Sequence, residues 1–132
     1  MLDRTKPIGD CTAQELAIAM LINASAGRFD AGQILHDLET HRSLWRSFLM
    51  GRPIVRSFDG ELPLGLLLPL RDLHRCWNLD TLYILVSQED AVTPMRQVAQ
   101  TWGGEVGQYV GESVRRLLGS AHEDTILFCW WD

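Results

Sequence analysis

Residues 82–104 constrain the fold of this chain more than any other stretch. The apolar run Leu82-Tyr83-Ile84-Leu85-Val86 gives way to Ser87-Gln88-Glu89-Asp90 and then to a helical pattern, which reads as strand, loop, helix. Thr93 is placed to cap the helix, Pro94 suits a first helical position because no amide hydrogen is needed there, and Gly103 can take the left-handed exit. Met95, Val98, Ala99 and Trp102 fall at i, i+3, i+4 and i+7, one helical face able to lie on a sheet.

The pattern continues with a short strand at 105–110, a short helix from Ser113 to Leu118 closed by Gly119, and a last strand from Thr125 to Trp131. Both connections are long enough to carry a helix, so a β-α-β-α-β unit with parallel neighbours and right-handed crossovers is predicted. Upstream, Thr12 and Glu15 form a capping box for a first helix covering Leu16 to Ala26, apolar nearly all round and therefore either a central core helix or a helix paired with a partner subunit. A second helix is capped by Asp30 and keeps helical spacing through Ile34, Leu38, Trp45, Phe48 and Leu49 to a stop at Gly51-Arg52-Pro53. Ile54–Phe58, Asp59-Gly60 and Glu61–Leu68 carry the signature of a β-hairpin, with Pro63 making its second arm an edge strand.

The fold class that follows is α/β (or α+β): a small mixed sheet with a C-terminal β-α-β-α-β unit, an antiparallel hairpin at about 54–68, and two N-terminal helices packed on the sheet. At 132 residues this is one domain, 1–132, which buries roughly two-thirds of its unfolded surface and needs neither metal nor disulfides to fold. The cysteines, Cys11, Cys76 and Cys129, are widely spaced among apolar neighbours and read as reduced thiols. No signal peptide or membrane-spanning run is present in the sequence, and a cytoplasmic location is expected.

Seventeen acidic against twelve basic residues leave a net charge of −5, which disfavours broad nucleic-acid binding. Arg42, Arg46, Arg52 and Arg56, placed on or just after helix two, are the only basic cluster through which phosphates could be held. In a parallel sheet, ligands bind at the carboxyl ends of strands, which here present Ser87, Gln88, Asp90, Tyr109 and Ser113 as candidate ligand-binding residues. Val110-Gly111-Glu112-Ser113 lacks a phosphate-loop pattern, and Arg115 stands where a nucleophile elbow needs glycine. With parallel strands His122 would also lie at the edge opposite Ser113, so no catalytic residue is assigned.

His36 and His41 are five apart and cannot share an ion from one regular helix, and the pair Asp37 and His41 finds no completing ligand. No metal or cofactor is expected. Arg71, Asp72, His74, Cys76, Trp77 and Asn78 either line a pocket or form a structural pair, Arg71 with Asp72, beside a Trp77 that plugs the core. Trp77, Trp130 and Trp131 are the candidate interface residues, since tryptophan commonly anchors binding and one of two adjacent strand residues must face outward. The leading expectation is a non-enzymatic binding or regulatory module acting through a protein partner or self-association. A small-molecule site or small enzyme at the strand ends is the alternative, and nucleic-acid binding through the helix-two arginines the third reading.

Overall fold

The structure is a computed structural model that describes residues 3–24, 27–52, 69–119 and 124–132. Its helices are α1 (Ala13–Ile22), α2 (Ala31–Thr40), a single turn α3 (Pro69–Asp72), α4 (Glu89–Gln100) and α5 (Glu112–Leu118). Its strands are β1 (Ser47–Gly51), β2 (Thr81–Val86), β3 (Glu105–Tyr109) and β4 (Thr125–Trp130). The mixed α/β class is therefore present, and the expected hairpin at 54–68 lies outside the described residues.

The sheet differs from expectation in its pairing. Its order is β1-β2-β4-β3 and every neighbouring pair is antiparallel. The order β-α-β-α-β along the chain is right, but β4 inserts between β2 and β3, which run the same way without touching. The α4 connection joins two strands of the same direction, as a crossover does, whereas the α5 connection joins antiparallel neighbours. The seven residues of α5 rise only about 10 Å, against about 17 Å for a five-residue strand, and β4 starts at the sheet end where β3 stops.

Two element boundaries also move. The long second helix breaks after Thr40, passes through a tight turn at Arg42–Leu44 and becomes strand β1. In β1 Phe48 and Met50 are buried while Leu49 between them is exposed, so period two wins over the helical template that had grouped Phe48 with Leu49. Helix α4 begins at Glu89, ahead of Thr93; Glu89 and Asp90 in its first turn favour the positive end of the helix dipole, and Pro94 sits inside it. Its C-terminal end follows the expected plan, with Gly103 at a φ of 81°.

One face of the sheet carries the core. Phe48 and Met50 of β1, Leu82, Ile84 and Val86 of β2, and Leu127 and Cys129 of β4 pack with Leu21 of α1, Ile34 and Leu38 of α2, Met95 and Ala99 of α4, and Trp102 in the turn after α4. Three buried tryptophans stitch these layers through their indole N–H groups, as buried tryptophans must. Trp45 donates to the Leu38 carbonyl at 2.8 Å, Trp102 to Asp37 Oδ2 at 2.9 Å and Trp131 to the Trp102 carbonyl at 3.0 Å.

The opposite face is paved by aromatic rings. Phe128 on β4 lies so close over Gly107 of β3 that a Cβ there would overlap its ring, and Tyr83 on β2 lies over Gly51 of β1, where a Cβ would stand 3.1 Å from the ring. Both glycines sit on edge strands, and both rings come from central strands. At the β1 edge Gln14 of α1 acts as a short substitute strand. Its Nε2 donates to the Phe48 carbonyl at 3.1 Å, and the Phe48 N–H donates to its Oε1 at 2.9 Å.

Candidate functional site

The antiparallel sheet disperses the residues expected at a common carboxyl edge. Ser87 and Gln88, after β2, line a shallow cleft of about 430 Å³ with Arg42, Ser43, Leu44, Trp45 and Arg46. Asp90 in the first turn of α4 and Ser113 in α5 are exposed and do not line that cleft, while Tyr109 leans on Phe128 at a centroid distance of 5.3 Å on the paved face. Because β4 runs antiparallel, its start shares a sheet end with Ser113, which removes the opposite-edge objection drawn for His122. His122 itself lies outside the described residues.

The arginine cluster is likewise split, because helix two is not one helix. Arg42 stacks on the Trp45 ring at 4.0 Å and donates to the Trp45 carbonyl, and Arg46 precedes β1. Arg52 follows β1 at its other end, where it donates to Asn78 and lies 3.6 Å from Asp80, and Arg56 is outside the described residues. Asp37 is already engaged by Gln33 and Trp102, so it is no ligand for an ion shared with His41. Among the described residues no group of three His, Cys, Asp or Glu side chains is placed to hold a metal.

The segment 69–80 takes its structural form around Asp72. Arg71 binds the Asp72 carboxylate through Nε and Nη2, and Asn78 donates to it at 2.8 Å. The Arg71 bonds first, and the Asn78 bond second, hold the Asp72 carboxyl down to about 2. Trp77 packs against the core cluster from its margin. It is half-buried, its backbone N–H donates to the Asn23 carbonyl at 3.1 Å, and its ring side joins a groove.

That groove has a volume of about 600 Å³. Leu16, Ala19, Met20 and Asn23 of the α1 region form one wall, spaced i, i+3, i+4 and i+7, while Leu49 of β1 and the 73–77 loop form the other. Helix α1 is therefore not the central core helix expected. Ala17 and Leu21 face the sheet, and a second apolar stripe faces out. A smaller hollow of about 360 Å³ continues the groove through Met20, Leu49, Leu73 and Trp77 to Leu70 and Pro69. Leu16, Leu49, Leu70 and Leu73 are 43%, 52%, 66% and 48% exposed, so four large side chains around these hollows face water.

Of the three candidate interface tryptophans, Trp77 lines this surface. Trp130 is half-buried on the paved face, and Trp131 is 4% exposed with its ring 4.5 Å from Phe29, in the core. Sequence reasoning recognised the all-round apolarity of α1 but missed Leu49 and Leu73, whose exposure depends on a strand and a loop that close on α1 only in three dimensions. No described helix is long and apolar enough to cross a membrane. Comparison with family models, curated proteins and solved structures gives no match to this chain.

Proposed function

We propose that this chain is a non-enzymatic binding module that engages a protein partner through the apolar face of α1, Leu49 and the 69–77 segment. The observation that carries the reading is the clustering of Leu16, Leu49, Leu70 and Leu73 around Met20 and Trp77. Exposed apolar side chains scattered singly are ordinary, but a contiguous set rimmed by polar groups marks an interaction surface. A small-molecule pocket would add several convergent polar groups to such walls. Here Asn23 spends its Nδ2 on the Ala19 carbonyl of its own helix, and His74 and Arg75 stand at the exposed rim. Free thiols at Cys11, Cys76 and Cys129 suit a reducing, cytosolic setting.

The double variant Leu49→Asp/Leu73→Asp tests the reading. Both side chains are about half exposed, so its melting temperature should stay near wild type, as for surface changes within about 0.5 kcal/mol. Immobilised wild-type chain should retain proteins from a native extract that the double variant does not. Identical retained sets, with both proteins folded, would refute the proposal.

A further inference from the structure

We infer that residues 70–76 are a strap that swings away from the groove while the rest of the chain stays folded, and that Asn78 is its latch. This inference rests on the proposed protein-binding reading and names what regulates that surface; the strap itself is tested without a partner.

The strap is anchored at its ends and little held between them. Pro69 before it and Leu79 after it are buried, whereas Leu70, Arg71, Leu73, His74 and Arg75 are exposed and Asp72 and Cys76 half-buried. Neither Leu70 nor Leu73 packs against the core cluster, which the chain rejoins at Trp77. There the Trp77 backbone N–H donates to the Asn23 carbonyl and Ala24 forms a bridge with Trp77. A segment with so little apolar burial opens at a fraction of the global unfolding cost.

The polar groups of the strap are spent mostly inside it. Arg71 binds the Asp72 carboxylate, and the Arg75 and Cys76 N–H groups both donate to the Asp72 carbonyl. Among the described residues one side-chain hydrogen bond leads out of the strap, from Asn78 Nδ2 to Asp72 Oδ2 at 2.8 Å. Asn78 is in turn held by Arg52, whose Nη1 donates to its carbonyl at 3.0 Å and to its Oδ1 at 3.2 Å, and Arg52 lies 3.6 Å from Asp80 Oδ2. Asn78 thus ties the strap to the end of the sheet where β1 stops and β2 starts. The same strap supplies groove wall. Leu73 to Cys76 line the main groove opposite α1, and Leu70 and Leu73 line its continuation, with Met20 and Leu49 facing both hollows. Swinging the strap out takes Leu70 and Leu73 from beside Met20 and Leu49, so the latched form is the one that binds, and a partner touching Leu73 shifts the equilibrium toward it.

The three thiols report the strap from within the full chain, since Cys76 lies in it, Cys11 outside it and Cys129 in the core. Each is followed by mass spectrometry during partial alkylation at neutral pH. In Asn78→Ala, Cys76 should react roughly tenfold faster than in wild type, the effect of losing one hydrogen bond to a charged group, with Cys11 and Cys129 unchanged. Asn78→Leu, which keeps the bulk and loses the donor, should behave alike. An unchanged Cys76 rate in either variant would overturn the inference. A parallel rise at all three thiols would mean that the segment opens only with global unfolding, and would overturn it too. Proteins that wild type retains from a native extract and Leu49→Asp/Leu73→Asp does not should be held more weakly by Asn78→Ala; equal retention would overturn the control of the surface by the strap. If Leu49→Asp/Leu73→Asp retains all that wild type does, the protein-binding reading fails, and the thiol rates still decide for or against the strap.

Discussion

Replacing Gln14 by alanine isolates the device that closes the β1 edge. The side chain makes two hydrogen bonds of ordinary length, 2.9 and 3.1 Å, to one residue of the strand, in a partly buried setting. At about 0.5–1.5 kcal/mol for each, and with water able to replace part of the loss, Gln14→Ala should cost about 1–2 kcal/mol, a fall in melting temperature of roughly 3–8 °C. Gln14→Glu separates the two bonds. Its carboxylate still accepts from the Phe48 N–H, but it cannot donate to the Phe48 carbonyl and repels it. At neutral pH this variant should therefore be at least as unstable as Gln14→Ala. It should recover as pH falls through the ordinary glutamate range, where the protonated acid regains a donor. Urea unfolding gives the free energies, and amide hydrogen exchange at Phe48 reports the edge directly. An alanine variant within about 0.3 kcal/mol of wild type, with Phe48 exchange unchanged, would refute the claim that Gln14 seals the strand.

Two further outcomes follow from packing and burial. At Gly104 a Cβ would stand 2.6 Å from Cys129 Sγ and 2.7 Å from the Trp130 carbonyl, and backbone cannot give way. Gly104→Ala should thus cost about 2–3 kcal/mol. Gly103→Ala meets open space but keeps a φ of 81° and should cost about 1 kcal/mol; the reverse order in urea unfolding would contradict this account. Burial pushes the Cys129 thiol up to about 11 from an ordinary 9.0. A native state that holds its proton longer than the unfolded chain loses stability as pH rises from about 9 through about 11, and none of this contribution is lost below the unfolded value. Mild alkylation at neutral pH should accordingly modify Cys11 and Cys76 and spare Cys129 until the protein unfolds; rapid reaction of all three would argue against the packing around Cys129.

The elements legible in the chain were those whose cause is local. The Thr12–Glu15 capping box is formed, with both of its hydrogen bonds present. The face Met95, Val98, Ala99 and Trp102 points inward, and the strands near 82, 105 and 125 lie close to where their patterns put them. What failed was non-local. Phe48 and Leu49 match a helix template as well as a strand, and only pairing with Leu82–Leu85 decides between them. The insertion of β4 between β2 and β3 depends on contacts across the sheet that no spacing along the chain encodes. The groove was half legible. An α1 apolar on all sides announces a second buried or bound face, whereas Leu49 and Leu73 join it only through the sheet edge and the loop that follows α3.

The rings lying over Gly51 and Gly107 bear on how the sheet opens. An edge strand is ordinarily the first part of a sheet to fray, since it loses one ladder and little else. Here, lifting β1 uncovers Tyr83 and lifting β3 uncovers Phe128, both rooted in central strands. Each edge therefore carries part of the interior's burial, and detaching it removes apolar contact from a strand that has not moved. Opening at the margins is tied energetically to the centre, so amide exchange across the four strands should fall in a narrow band near the global unfolding free energy rather than in a gradient from rim to middle.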